Sequence, residues 1–322
     1  MGKKDALEHD IANIRVIRNA PEKYDLVRDL APFLQHKSNY AIAAAADTAC
    51  DLEAEPLVPA LVQAFTSLMK RPAQRDPGAR ALIAIASALA TLGADAPEVY
   101  LSGIGHIQME GSFGPPMDVA APLRGLCARG LVRMAHPDGL LRTITVLADK
   151  EIPARVGAVR ALGDSGSPGA ELALRLKVLQ GDDVEIIAEC FAALLRVEPS
   201  RSVEFVGGYL GAQSAEVIES AALALGESRV AAALKPLRDA YAATAARPLR
   251  KTFLLAIAML RRDEGLEFLL SRLEEEPESV AADALAALCL YRGDEALVER
   301  VRTILAKRES ESLTRLCQDT LG

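Results

Sequence analysis

One apolar phrase returns along the second half of the chain: RVGAVRALGD at 155–164, EIIAECFAALLR at 185–196, EVIESAALALGE at 216–227, LRKTFLLAIAMLRRD at 249–263 and SVAADALAALCLYRGD at 279–294. Aligned on Leu162, Leu194, Leu225, Met259 and Leu288, the copies stand 29 to 34 residues apart. A step of that size fits one helix–turn–helix unit, which cannot bury its apolar face alone and so stacks on copies of itself. Aromatics make up only 4% of the 322 residues and tryptophan is absent, so Ala, Leu, Val and Ile must supply most of the 50% hydrophobic content. Ala and Leu head the helix-propensity ranking, and small alanine faces let helices approach closely. The composition and the repeat therefore agree on an all-α chain.

Between these phrases lie amphipathic segments at 139–149, 168–180, 200–210, 230–241, 264–275 and 295–307. Their apolar residues recur at helical spacing, as in Leu266, Leu269, Leu270 and Leu273. Each unit thus reads as an outer helix followed by an inner one. Breakers such as Gly163-Asp164-Ser165-Gly166, leading into Ser167-Pro168, separate them. Upstream the pattern continues through Leu131 and Leu89, with the extra length falling in an irregular insertion at 102–117. That insertion carries Gly103, Gly105, Gly111, Gly114, Pro115 and Pro116. Leu7, Ile11, Ile14 and Ile17 form one stripe, which suits a capping helix over 1–20, and 308–322 is expected to cap the other end of a single domain spanning 1–322. Pro32, Pro59 and Pro236 stand in the apolar runs of three outer helices and are expected to bend them.

At this point the chain resembles the HEAT-repeat family, and more narrowly the bacterial PBS-lyase HEAT-like repeats. The resemblance is carried by Pro153-Ala154-Arg155-Val156 with Ala161-Leu162-Gly163 on the inner helix and by the proline-bearing first helix, and it covers roughly 24–307. It implies an α-α superhelix, a right-handed solenoid of about seven to eight HEAT-like hairpins. The arginine at Arg124, Arg155 and Arg250 is replaced around Glu185 and Glu216, so the repeats are degenerate.

Charge and composition then narrow the function. A net charge of -7 and a pI near 5.3 lack the basic footprint that holds a phosphate backbone, so nucleic acid is not an expected partner. Met1-Gly2-Lys3-Lys4-Asp5 opens on charge, with no apolar core of a signal peptide, and a cytoplasmic protein is expected. The uncharged stretch Ala81 to Ala94 is 14 residues long, short of a membrane span, and no membrane association is expected. Cys50, Cys127, Cys190, Cys289 and Cys317 lie far apart without CxxC or CxxH pairs and read as small buried hydrophobes. His9, His36, His106 and His136 are none of them followed by glutamate, unlike the His-Glu ligand pairs of HEAT-like deoxyhypusine hydroxylases. No cofactor, metal or catalytic residue is expected. Repeat-level likeness to the phycobilin lyases does not carry their activity over.

The chain therefore reads as a protein without enzymatic activity, a scaffold or adaptor that docks a protein or peptide on its concave face. The candidate contact residues are Glu110, Phe113 and Asp118 on the insertion, Arg124, Arg155 and Arg160 on inner helices, and Glu185 and Glu189 further along. The insertion reads first as packing filler and otherwise as a contact element, and the arginines first as bonds to the neighbouring repeat and otherwise as partner contacts. Residues 121–160 hold seven Lys or Arg against three acids, and 181–227 hold nine acids against two arginines. Opposite patches of this kind suit weak head-to-tail self-association. The alternative is a lyase-like or small-molecule-modifying enzyme whose pocket lies near 102–118.

Overall fold

A computed structural model describes residues 3–111 and 114–321, with side chains from residue 6 onward, and its regular structure is almost entirely helical. Phe113 lies outside the described residues. The chain divides into two compact units, Met1–Ala173 and Leu174–Gly322.

The first unit opens with α1 (Lys3–Asn19), α2 (Leu26–Leu34), α3 (Asn39–Asp51), α4 (Val58–Met69), the single turn α5 (Pro72–Arg75) and α6 (Arg80–Thr91). Next, α7 (Pro97–Gly103) leads through two short strands, β1 (Met109–Glu110) and β2 (Met117–Asp118), into α8 (Ala121–Arg133), α9 (Gly139–Leu147) and α10 (Ile152–Asp164). Helix α11 (Pro168–Gln180) runs across the division. The second unit continues with α12 (Val184–Val197), α13 (Pro199–Gly207), α14 (Ala215–Ser228), α15 (Leu234–Ala243) and α16 (Arg247–Met259). It ends with α17 (Asp263–Glu275), α18 (Glu278–Leu288), α19 (Glu295–Arg308) and α20 (Glu311–Leu321).

Each unit is a stretch of α-solenoid. In the first, α3, α6, α8 and α10 pack side by side in sequence, and α2, α4, α7 and α9 each pack on a member of that row. In the second, α12, α14, α16, α18 and α20 form the row, backed by α13, α15, α17 and α19. The recurring phrases are the row helices. Leu162, Leu194 and Leu225 have no exposed surface and Leu288 keeps 1%, so the apolar repeat is the seam that seals one hairpin against the next. Met259 is only half-buried, and Ile257 and Leu260 fill the seam of α16 in its place.

Small residues set how closely the rows pack. A Cβ placed on Gly125 of α8 would lie 2.7 Å from Gly157 Cα of α10, so the two backbones touch at a glycine on each side.

The prolines act differently from the bend expected at each. Pro32 lies inside α2, but Pro59 stands at the first turn of α4 and Pro236 close behind the start of α15. A 3₁₀ turn precedes both, over Glu55–Leu57 and Ala231–Ala233. In the first turn the missing N–H has no intrahelical acceptor to lose, so these two prolines start helices rather than kink them.

Within the 102–117 insertion the chain is not wholly irregular. β1 and β2 pair antiparallel, Met109 opposite Asp118 and Glu110 opposite Met117. His106 follows α7 outside any helix or strand, and Glu110 sits on β1.

Candidate functional site

The hairpin is bolted to the start of α6 by polar groups that the sequence supplies at a distance. Asp76 is fully buried, and its carboxylate accepts from Ala81 N–H at 3.0 Å and Leu82 N–H at 2.8 Å, the open donors of the first turn of α6. Asn39 on α3 donates to the same carboxylate at 2.9 Å. Gln108, 4% exposed, donates from Nε2 to the Asp76 carbonyl at 2.9 Å and to Glu110 Oε1 at 2.6 Å. Glu110 in turn accepts from Gly78 N–H on both oxygens, at 3.0 and 2.9 Å.

The other hairpin strand is tied to α8 and to the turn before α10. Arg124 is 4% exposed and donates from Nη1 to Asp118 at 2.6 Å and to the His106 carbonyl at 2.9 Å. Its Nε and Nη2 meet the two Asp149 oxygens at 2.7 and 2.9 Å, a bidentate pair. Burial alone would raise the Asp118 carboxyl, but hydrogen bonds from Gln108 N–H, Arg124 and Ala120 N–H outweigh it and hold the group below the usual carboxylate range. Asp149 shows the same balance, burial against Arg124 and Glu151 N–H, with the same result. A carboxyl held low is the reverse of a general acid poised near neutral pH. Arg155 is buried and donates to the Asp149 and Lys150 carbonyls at 3.0 and 2.8 Å.

The structure thus brings Glu110, Asp118, Arg124 and Arg155 into one region, where the contacts described above bind the insertion and successive row helices to one another. Arg160 is exposed on α10. Glu185 is exposed and Glu189 half-buried on α12, in the second unit. His106 Nε2 lies 3.1 Å from Gln108 Oε1. Burial pushes the Cys127 thiol far up and that of Cys190 to about 12, so both are poor nucleophiles. No helix among the described residues is long and apolar enough to cross a membrane, and among them no three His, Cys, Asp or Glu side chains converge as metal ligands.

A different locus, in the second unit, has the form of a binding site. A groove of about 1190 Å³ runs between α15 and α17, with Arg250 of α16 at its wall. Phe268 and Tyr241 form its aromatic part, ring centroids 5.6 Å apart and edge to face. Guanidiniums lie over both rings: Arg238 at 4.8 Å and Arg272 at 5.3 Å from the Phe268 centroid, and Arg250 at 4.3 Å from that of Tyr241. Tyr241 is 4% exposed and anchored, while Arg238 and Ala242 are exposed along the opening. Sequence reasoning passed over this cluster because its members lie on three successive helices, α15, α16 and α17, inside ordinary amphipathic patterns, with Tyr241 and Phe268 27 residues apart. The usable signal was scarcity: in a chain with 4% aromatics, a ring flanked by arginines on neighbouring repeats stands out.

No protein-family model matches the chain, and no curated protein matches it in sequence. Among solved structures, it is similar to the complex of CpcE and CpcF of phycocyanin lyase from a Nostoc species, at 16% identity over 76% of this chain and 92% of that one, TM-score 0.41. It is similar to an engineered protein at 16% identity over 91% and 87%, TM-score 0.40. Human deoxyhypusine hydroxylase is a further neighbour, at 18% identity over 73% and 84%, TM-score 0.32. The expectation of a chain without enzymatic activity is corrected by these neighbours, among which are a phycocyanin lyase and a hydroxylase.

Proposed function

We propose that the chain binds a protein partner by holding an extended segment of it in the groove between α15 and α17. The observation that carries this reading is the groove itself: about 1190 Å³, flanked by exposed Arg238 and Ala242 and floored by Tyr241 and Phe268. Aromatic and arginine side chains are the residues on which binding energy concentrates at protein interfaces. The floor is already ordered by ring-to-ring and guanidinium-to-ring contacts, so little side-chain entropy is lost when a segment lies on it. This reading puts the partner on the backing helices, whereas the expectation from the sequence was Glu110, Phe113 and Asp118 of the insertion with Arg124, Arg155, Arg160, Glu185 and Glu189 of the row helices.

Selection of a random-peptide library displayed on phage tests this reading. Enriched peptides should lose binding to Ala242→Trp, which plugs the groove, and to Phe268→Ala, and should keep binding to Leu141→Ser, an exposed change in the first unit. No enrichment, or enrichment indifferent to Ala242→Trp, would sink it.

A further inference from the structure

Granted that reading, on which this rests, we infer that the segment held in the groove is acidic, its carboxylates taken by the guanidiniums of Arg238 and Arg250. The groove's charges sort themselves. Lys235 pairs with Asp239 at 2.5 Å, Arg272 with Glu276 at 2.7 Å, and Glu267 with Arg300 at 2.8 Å. Among the described residues Arg238 and Arg250 have no ion pair, and Arg262 donates to the Arg229 carbonyl at 2.7 Å. Glu264 is the remaining acid, so internal pairing leaves an excess of cations in a chain whose net charge is -7.

The two arginines are also positioned to be read by a carboxylate. A guanidinium lying over a ring is fixed by its face, while the donors around its edge stay available for a planar two-oxygen acceptor. Arg250 uses Nη2 on the Tyr241 hydroxyl at 2.7 Å, and its buried Nε has no acceptor among the described residues. A buried donor left without an acceptor carries a desolvation penalty that an incoming carboxylate removes. Arg238 is exposed and rests only on Phe268.

Spaced carboxylates suit this groove better than a phosphate chain. The two guanidiniums are separate cations with Glu264 also on the lining, not a continuous basic track for a phosphate chain, whereas a peptide can set its acids against the two guanidiniums and its apolar side chains against Phe268.

Fluorescence anisotropy with the full chain tests the assignment. The probes are a fluorescein-labelled octapeptide alternating glutamate and leucine with an amidated C-terminus, its lysine-for-glutamate and serine-for-glutamate counterparts, and a single-stranded octanucleotide. The acidic peptide should bind at least about tenfold more tightly than either counterpart, a gap expected of charge-assisted bonds. Its affinity should fall about tenfold or more in Arg238→Glu and in Arg250→Gln, and weaken as salt is raised. Arg238→Glu alters an exposed residue and so keeps the measurement valid if Arg250→Gln unfolds. A version with a free C-terminal carboxylate binding no better than the amide assigns recognition to side-chain acids, and one binding at least about tenfold better assigns it to the chain terminus; either supports carboxylate reading. If all three peptides bind alike and Ala242→Trp abolishes all three, charge reading is overturned while the partner groove stands. If no peptide binds, or only the oligonucleotide binds with dependence on Arg238, the acidic segment is overturned, and the library selection separately decides whether the groove takes any peptide.

Discussion

Arg124 ties the hairpin, α8 and the turn before α10 together, and its energetics follow from what it leaves behind when removed. It faces Asp118 and Asp149, whose side chains keep only 4% and 17% exposure, so Arg124→Ala strands two largely buried carboxylates. Breaking a buried pair of this kind costs about 3 kcal/mol or more. Arg124→Lys should recover little, because one ammonium cannot reproduce a fork that serves Asp149 on two nitrogens and Asp118 and the His106 carbonyl on a third. Urea unfolding checks both, and a loss under about 0.5 kcal/mol for Arg124→Ala would contradict the assignment. The same residues set a pH dependence. Because both carboxyls are lowered in the folded state from an ordinary 3.8, their stabilisation is complete above the unfolded value and is lost as pH falls through the lower native ones. Asp118→Asn and Asp149→Asn should therefore flatten the acid limb of the stability curve below about pH 4 and leave its shape above pH 6 unchanged. Arg124 was legible in the sequence as an arginine near the start of a repeat helix. Its partner Asp149, 25 residues away in a turn, was not, because no periodicity marks a turn residue.

Between elements the seam rather than the helix carries the stability. Gly157 meets Gly125 backbone to backbone, so Gly157→Leu would wedge α8 from α10 even though leucine is the better helix former. The expected loss is about 1 to 3 kcal/mol from overpacking, against a gain in propensity of under about 1. Leu225→Ala, at a fully buried seam position of α14, should cost about 3 kcal/mol, whereas Glu274→Ala on the exposed face of α17 should change stability by under about 0.5. Equal melting temperatures for these last two would refute the placement of the recurring phrases at the seam. Those phrases were readable because packing against a neighbouring copy imposes the same local pattern each time. The pairing in the insertion was not, since strands of two residues carry no period and its Gly and Pro residues signal only a break. Pro59 and Pro236 misled for a related reason: an apolar run continues through a 3₁₀ turn into a helix, and the sequence does not say where one becomes the other. The α15–α17 groove escaped because a binding surface depends on which side chains of different repeats converge, and that is fixed by helix rotation rather than by spacing.

For the whole molecule, a chain built by nearest-neighbour stacking should fail locally. In an array of hairpins, each element is stabilised by its own sequence and by the seams on either side, so a defect is felt by its neighbours and fades with distance along the stack. A domain with one shared core behaves otherwise, since its elements open together and a defect lowers protection everywhere by the same free energy. Leu285→Ala separates the two. Leu285 is fully buried in α18, which packs against α16, α17 and α20, and its truncation should cost about 3 kcal/mol at those contacts. Hydrogen exchange followed by mass spectrometry should then show peptides from α16 to α20 losing protection by roughly the equivalent of that cost, while peptides from α3 and α6 exchange at wild-type rates. Ala-rich α3 and α6 make the control demanding, because their residues Ala45, Ala46, Ala86 and Ala88 are fully buried and any global opening would register there. A uniform loss of protection from α3 to α20 would mean that the repeats share one cooperative core, and the seam-by-seam account of stability would fail with it.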